Sequence, residues 1–256
     1  MACNLPRHSK ARIGCAGWAI PALHRSSFPG SGSALERYSS IFTAVEINSS
    51  FYRPHKRDTY QRWADTVPAR FRFSVKVPQT ITHDKHLKGV VSELRAFVGQ
   101  AGGLGGKLGG VLVQLPPSLK FNRRVAGAFF ERLKGELPVR AAVICEPRHK
   151  SWFELPAIQL LRDYKVNRVG ADPAPAPAAD EPGIAGKWRY WRLHGSPRMY
   201  YSSYDTRMLE ELAARVASVR SSLTPWIIFD NTAAGHAVGN ALAFRALLSP
   251  SPNRRG

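Results

Sequence analysis

Short runs rich in valine, isoleucine and phenylalanine recur along the chain, each closed by a turn and followed by a segment with helical spacing of apolar residues. The runs are Arg12–Gly17, Phe42–Asn48, Phe71–Val77, Gly110–Leu115, Ala141–Glu146, Val166–Asp172, Arg189–His194 and Trp226–Asn231. Between them the spacing predicts helices over Ser33–Ile41, Lys56–Thr66, Val91–Gln100, Arg123–Lys134, Trp152–Tyr164, Asp205–Arg220 and Ala237–Leu248. Ser33 with Glu36, and Ser92 with Glu93, read as helix caps. Alternation of strand and helix builds a parallel sheet. Eight such units in a chain of about 250 residues fit one α/β domain, a single (β/α)8 TIM-type barrel with parallel strands. A doubly wound sheet would carry a glycine-rich phosphate loop after its first strand. Here that turn reads Gly17-Trp18-Ala19-Ile20-Pro21.

The barrel is expected over residues 12–248, with a disordered N-terminal extension at 1–11 and a flexible tail at 249–256. Gly102–Gly110 and Pro173–Gly183 break the rhythm and read as surface connections. No other boundary, and no internal repeat, is visible.

Composition adds a charge imbalance. Lys and Arg number 37 against 18 Asp and Glu, a formal net charge of +19. Such an excess favours polyanions, nucleic acid or phosphorylated ligands. The same excess also follows from the coding bias of a GC-rich genome, with the positives spread over solvated helices. No apolar stretch is long enough for a membrane span, and Met1–Arg12 lacks the apolar core of a secretory signal. No membrane association is therefore expected. Three cysteines, Cys3, Cys15 and Cys145, show no paired spacing, which predicts neither a disulfide frame nor structural zinc and points to a cytoplasmic location.

The strand ends carry the candidate chemistry. In a barrel the ligand sits at the C-terminal ends of the strands, and alternate residues point inward. Glu46 and Asn48 share one face of the second run, and Lys76, Gln114 and Glu146 occupy the equivalent place in the next three. Arg148 follows Glu146, Asp172 closes the sixth run, Arg192 and His194 share a face of the seventh, and Asp230 with Asn231 closes the eighth. Each residue alone has an ordinary explanation as a loop or hydrogen-bonding group. Convergence of acids and cations at a barrel mouth instead means internal ion pairs or a site for an anion. Tyr52 and the loop histidines His83 and His236 lie beyond strand ends, where solvated roles are the default, although an aromatic there could stack on a base or sugar.

Several blocks then match a known pattern in order: Gly14-Cys15-Ala16-Gly17-Trp18, Val45-Glu46-Ile47-Asn48-Ser49-Ser50-Phe51-Tyr52, Phe73-Ser74-Val75-Lys76-Val77-Pro78, Gln114-Leu115-Pro116-Pro117, Glu146-Pro147-Arg148-His149, Arg192-Leu193-His194-Gly195 and Asn231-Thr232. From about Arg12 to Leu248 the chain resembles the YecE-like family, a domain of unknown function. The resemblance implies a TIM-type barrel and no activity. That barrel is similar to the endonuclease IV and xylose isomerase group, whose sites use metals on nucleic acid or sugars; this step is fold analogy. The chain departs from that group, because Glu46, Glu146, Asp172 and His194 are diluted by Lys76, Arg148 and Arg192. The set still leaves room for one divalent ion held by carboxylates and a histidine.

Two functions follow. One is a hydrolase or lyase acting on an anionic, phosphorylated or nucleic-acid substrate at the mouth. In it Glu46, Glu146, His194 and Asp172 act as the catalytic set, and Asn48, Tyr52, Lys76, Gln114, Arg148, Arg192, Asn231 and His236 bind substrate. The other is a non-catalytic protein that binds nucleic acid or a nucleotide through its basic surface.

Overall fold

The computed structural model describes residues 11–177, 179–183 and 185–249. The expected N-terminal extension lies outside these residues up to position 10, with Cys3 in it, and so does the expected tail from position 250.

Every expected strand forms, the sixth in two pieces. The strands are β1 (Arg12–Cys15), β2 (Ala44–Ile47), β3 (Arg72–Lys76), β4 (Leu108–Gln114), β5 (Ala142–Glu146), β6 (Asn167–Arg168), β7 (Gly170–Asp172), β8 (Trp188–Leu193) and β9 (Thr224–Phe229). The helices are α1 (Ala34–Ile41), α2 (Arg57–Thr66), α3 (Val91–Ala101), α4 (Arg123–Glu136), α5 (Leu155–Asp163), α6 (Thr206–Ala217) and α7 (His236–Leu248). All pairings are parallel, in two sheets of order β1-β9-β8-β7 and β2-β3-β4-β5-β6. Val169 separates β6 from β7, and its N–H donates to Cys145 O at 2.8 Å. At the other edge Gly17 N donates to Glu46 O at 2.9 Å, beside an isolated Ala16–Glu46 bridge.

Strand alternation sorts the core into two layers. Val45, Ile47, Phe73, Val75, Val111, Val113, Trp191, Leu193, Ile227 and Phe229 pack outward against the helices. Ala44, Leu112 and Ile144 of one sheet meet Ala171, Tyr190, Trp226 and Ile228 of the other in a separate inner cluster. The helices answer with apolar stripes; on α6, Leu209, Leu212, Ala213 and Val216 are buried at the helical spacing. Below the charged residues, Trp188, Tyr190 and Trp226 stack as an aromatic floor, with the two indoles 4.3 Å apart.

Local expectations divide. Ser33 and Glu36 form the full capping box of α1. Ser92 and Glu93 cap nothing: α3 begins at Val91, Ser92 Oγ donates to Glu93, and Glu93 pairs with Lys85. The segment read as a glycine-rich surface loop is largely packed, with Gly103 and Leu104 buried in a 3₁₀ turn over Gly102–Lys107. A Cβ at Gly103 would lie 2.3 Å from the Arg57 carbonyl oxygen, so glycine permits this close approach to α2. The Pro/Ala stretch is also tied down: Ala179 is buried and accepts from Ala171 N, and Gly183 N donates to Arg168 O.

Candidate functional site

Arg192 organises the polar end of the inner face. Its guanidinium is fully buried on β8, where an unpaired cation would be very costly. Nη2 and Nε grip Glu46 at 2.7 and 3.0 Å, Nη1 donates to Glu146 Oε2 at 2.7 Å, and Nη2 also donates to Asp230 Oδ2 at 2.9 Å. The planar fork of arginine suits this arrangement, which lysine could not reproduce. Tyr190 donates to Glu46 Oε2 at 2.9 Å and shares a 2.7 Å hydrogen bond with Ser74. Gln114 Nε2 donates to Glu146 Oε2 at 3.1 Å.

His194, two residues further along the same face, is also fully buried. Its Nε2 lies 2.8 Å from Glu146 Oε1 and 2.7 Å from Arg148 Nη2. Nδ1 lies 3.0 Å from Asp230 Oδ2, out of line for a good hydrogen bond. One ring nitrogen cannot both donate to Glu146 and accept from Arg148. A bare Nε2 accepts from Arg148, and an Nε2 that carries its hydrogen, in the neutral Nε2–H tautomer or the imidazolium, donates to Glu146, so Nε2 has a partner with or without its proton. Arg148 lies 2.5 Å from Glu146 and is the more open guanidinium, with its side chain 10% exposed against none for Arg192.

Electrostatics hold Glu146 and Asp230 ionised. Burial pushes Glu146 upward, but Arg148, Arg192 and His194 overcome it and hold its carboxyl well below the usual range. For Asp230 burial likewise acts upward, and Arg192 and His194 bring the net shift down. Lys76, at the end of β3, is different. Burial, reinforced by Arg192, lowers its ammonium to about 8 against the pull of the three carboxylates.

The structure therefore brings together Glu46, Lys76, Gln114, Glu146, Arg148, Arg192 and His194. Asp172 is not among them: Val169 and Ala171 face the inner cluster, so Asp172, one residue on and level with the outward Leu193, turns to the α6 layer, where its carboxylate accepts from Tyr204 at 2.6 Å. Asn231 is a scaffold residue whose Nδ2 donates to Ser202 O and Asn240 Oδ1, while its Oδ1 stays buried without a partner. Asn48 is partly buried with Oδ1 unpartnered. Tyr52 is 73% exposed and stands edge-on to Phe51, and His236 opens α7, half-buried.

Three residues join that were given no role above, although Asp230 was placed at the end of the eighth run. Asp230 and Tyr190 obey the same parity as their neighbours, Asp230 following Trp226 and Ile228, and Tyr190 preceding Arg192, so alternation would have found both. Tyr200 had no such signal. It stands perpendicular to His194 with ring centroids 5.5 Å apart, its N–H donates to the His194 carbonyl, and its φ of 70° is strained for a tyrosine.

A metal does not fit this donor set. Among the described residues no three His, Cys, Asp or Glu side chains are placed to hold an ion. Glu46, Glu146 and Asp230 converge on the Arg192 guanidinium instead, and Asp172 lies apart.

Fold and site thus define an α/β protein of parallel sheets with a buried ionic network at the strand ends. The chain belongs to the family described as Protein of unknown function DUF72, whose model matches residues 12–255. It is 30% identical over 175 residues to the UPF0759 protein YecE of Escherichia coli, a match covering 65% of this chain and 61% of that protein. The UPF0759 protein YunF of Bacillus subtilis is 29% identical over 157 residues, covering 56% of this chain and 52% of its own. The matches thus span less than two thirds of these curated relatives. Among solved structures, a DUF72 family protein from Thermotoga maritima superposes with a TM-score of 0.76 at 23% identity, covering 93% of this chain and 98% of that one. One from Enterococcus faecalis superposes at 0.75 and 20% identity, covering 95% and 97%. These likenesses establish the fold and leave the chemistry to the site.

Proposed function

We propose that the protein is a hydrolase or lyase that transfers protons on an anionic substrate at the C-terminal mouth of a closed (β/α)8 barrel. The closed form is supported at both seams: β6 and β7 are one strand interrupted at Val169, and Gly17 N–Glu46 O joins β1 to β2. The observation that carries the reaction is His194 Nε2, held between a carboxylate that suits it with its proton and a guanidinium that suits it without.

Roles then sort by electrostatics. His194 moves the proton. Glu146 and Asp230 stay ionised and orient the ring, since a carboxylate held so far below neutrality is a poor acid or base. Glu46 holds Arg192, whose charge is spent on three carboxylates. Arg148 and Lys76 are the cations left to receive an anion. Three cations face three carboxylates, so protonation of His194 gives the mouth a net positive charge.

The test is a panel of phosphorylated and carboxylated substrates. In any activity found, His194→Asn and Arg148→Ala should each lower kcat/KM by about 10²-fold or more. Wild-type rates in both variants would overturn the assignment.

A further inference from the structure

Lys76 is the one cation of the site that the ionic network does not use. Glu46, Glu146 and Asp230 all turn to Arg192, and Glu146 also to Arg148 and His194. Among the described residues no carboxylate lies within ion-pair distance of Lys76, and its Nζ has no hydrogen bond. The nitrogen instead sits 3.9 Å from the centroid of Phe51. Lys76 is 5% exposed. The backbone is fixed as well: Ser50 Oγ donates to Lys76 O at 2.7 Å.

We propose that Lys76 is an amine nucleophile that condenses with the carbonyl of an anionic aldehyde or ketone, forming an imine and releasing water. This deepens the reading of the mouth given above and rests on it for the anion site. The Nζ lone pair attacks the carbonyl carbon while the π pair moves to oxygen, which takes a proton. The nitrogen sheds one proton to give the carbinolamine, whose hydroxyl takes a second proton and leaves as water as the nitrogen lone pair forms C=N, and the iminium then gives up its last N–H proton. No oxidant or reductant is consumed. Arg148 supplies a cation for the substrate's carboxylate or phosphate, and His194 a group able to give the hydroxyl its proton.

Burial and Arg192 favour the free amine that this step needs, and they outweigh the three carboxylates and the Phe51 ring, which favour the ammonium. Phe51 and His83 face it from the loops after β2 and β3, and Arg192, Glu46, Glu146 and Asp230 from the network. Burial and Arg192 lower the amine from 10.5 to about 8 despite the three acids. Near neutrality this gives roughly 10²–10³-fold more free amine than an ordinary surface lysine. The neighbouring His83 is lowered too, by burial and then by Lys76, so it adds no lasting positive charge.

The experiment is borohydride trapping on the full chain. Protein is incubated with pyruvate, and separately with dihydroxyacetone phosphate, at pH values on either side of about 8, then reduced with sodium borohydride. Hydride adds to the imine carbon and leaves a stable secondary amine, located by peptide mass spectrometry. The expected result is one adduct per chain on the Lys76 peptide, at least tenfold over any other lysine, rising as pH passes Lys76's titration and lost in Lys76→Arg and Lys76→Met. Circular dichroism shows whether each variant is folded, and the arginine variant keeps the charge. No adduct, or one spread evenly over surface lysines in the wild type, overturns the inference. If trapping fails while activity still depends on His194 and Arg148, the imine falls and the proton-transfer reading stands. Trapping on Lys76 with activity indifferent to His194 reverses that outcome.

Discussion

At the scale of single residues, Arg192 is the side chain whose loss should matter most to stability. Removing it leaves three carboxylates buried together without their cation. Arg192→Met should cost about 3–5 kcal/mol in urea unfolding; a loss below about 1 kcal/mol would show that the acids find water or protons instead. The titrating groups add a pH signature with opposite signs. Glu146 and Asp230 are held below their ordinary 4.5 and 3.8, so their contribution is present above those values and is lost as pH falls below them. Lys76 is lowered from 10.5 to about 8, so its charged form opposes folding at neutral pH, and stability recovers as pH rises between those values. Lys76→Met should accordingly stabilise the fold at pH 7, by up to about 3 kcal/mol, with the gain gone above the ordinary lysine range. Thermal unfolding of both proteins against pH checks this; a gain independent of pH would mean that packing, not charge, decides.

At the scale of elements, packing at the strand ends depends on small residues and caps. A Cβ at Gly14 in β1 would lie 2.0 Å from the Ala44 carbonyl oxygen and 2.9 Å from Tyr38 Oη. Gly14→Ala must push β1 away from β2 and should cost about 1–3 kcal/mol, read as a lowered Tm; an unchanged Tm would mean that the seam yields freely. Alternation within a strand was fully legible: Val45 and Ile47 face helices while Glu46 faces the network, as their spacing implies. It holds in the sixth run too, where Val166 faces out and Val169 and Ala171 face in. Position at the end of that run places Asp172 at the mouth, but its parity, one residue beyond inward-facing Ala171, turns it to the helices. The packing of Gly102–Lys107 was hidden, because composition reports flexibility and says nothing of a neighbouring helix.

For the whole molecule, the net charge of +19 makes a testable demand. No helix among the described residues is long and apolar enough to cross a membrane. If the basic surface serves nucleic acid, affinity for DNA or RNA must fall with salt, with a log–log slope close to the number of phosphates neutralised. Binding that is absent at low salt would remove that role and leave the excess charge as solvated surface. Arg148→Ala separates the two readings in one measurement, because a surface-wide contact barely notices one recessed guanidinium while a ligand held at the mouth does.

The order of strands and helices, the two-sided burial of each strand, and the polar residues waiting at the strand ends all follow from the spacing of apolar positions, because backbone geometry alone converts that spacing into faces. Which of those polar residues meet was decided by the tertiary structure. Arg192 draws Glu46, Glu146 and Asp230 from three other strands because a buried cation must be compensated from every side. Lys76, left outside that arrangement, acquires its unusual amine from neighbours far away in sequence. Charge pairing across a core depends on distances between strands, and no local pattern in the chain encodes them.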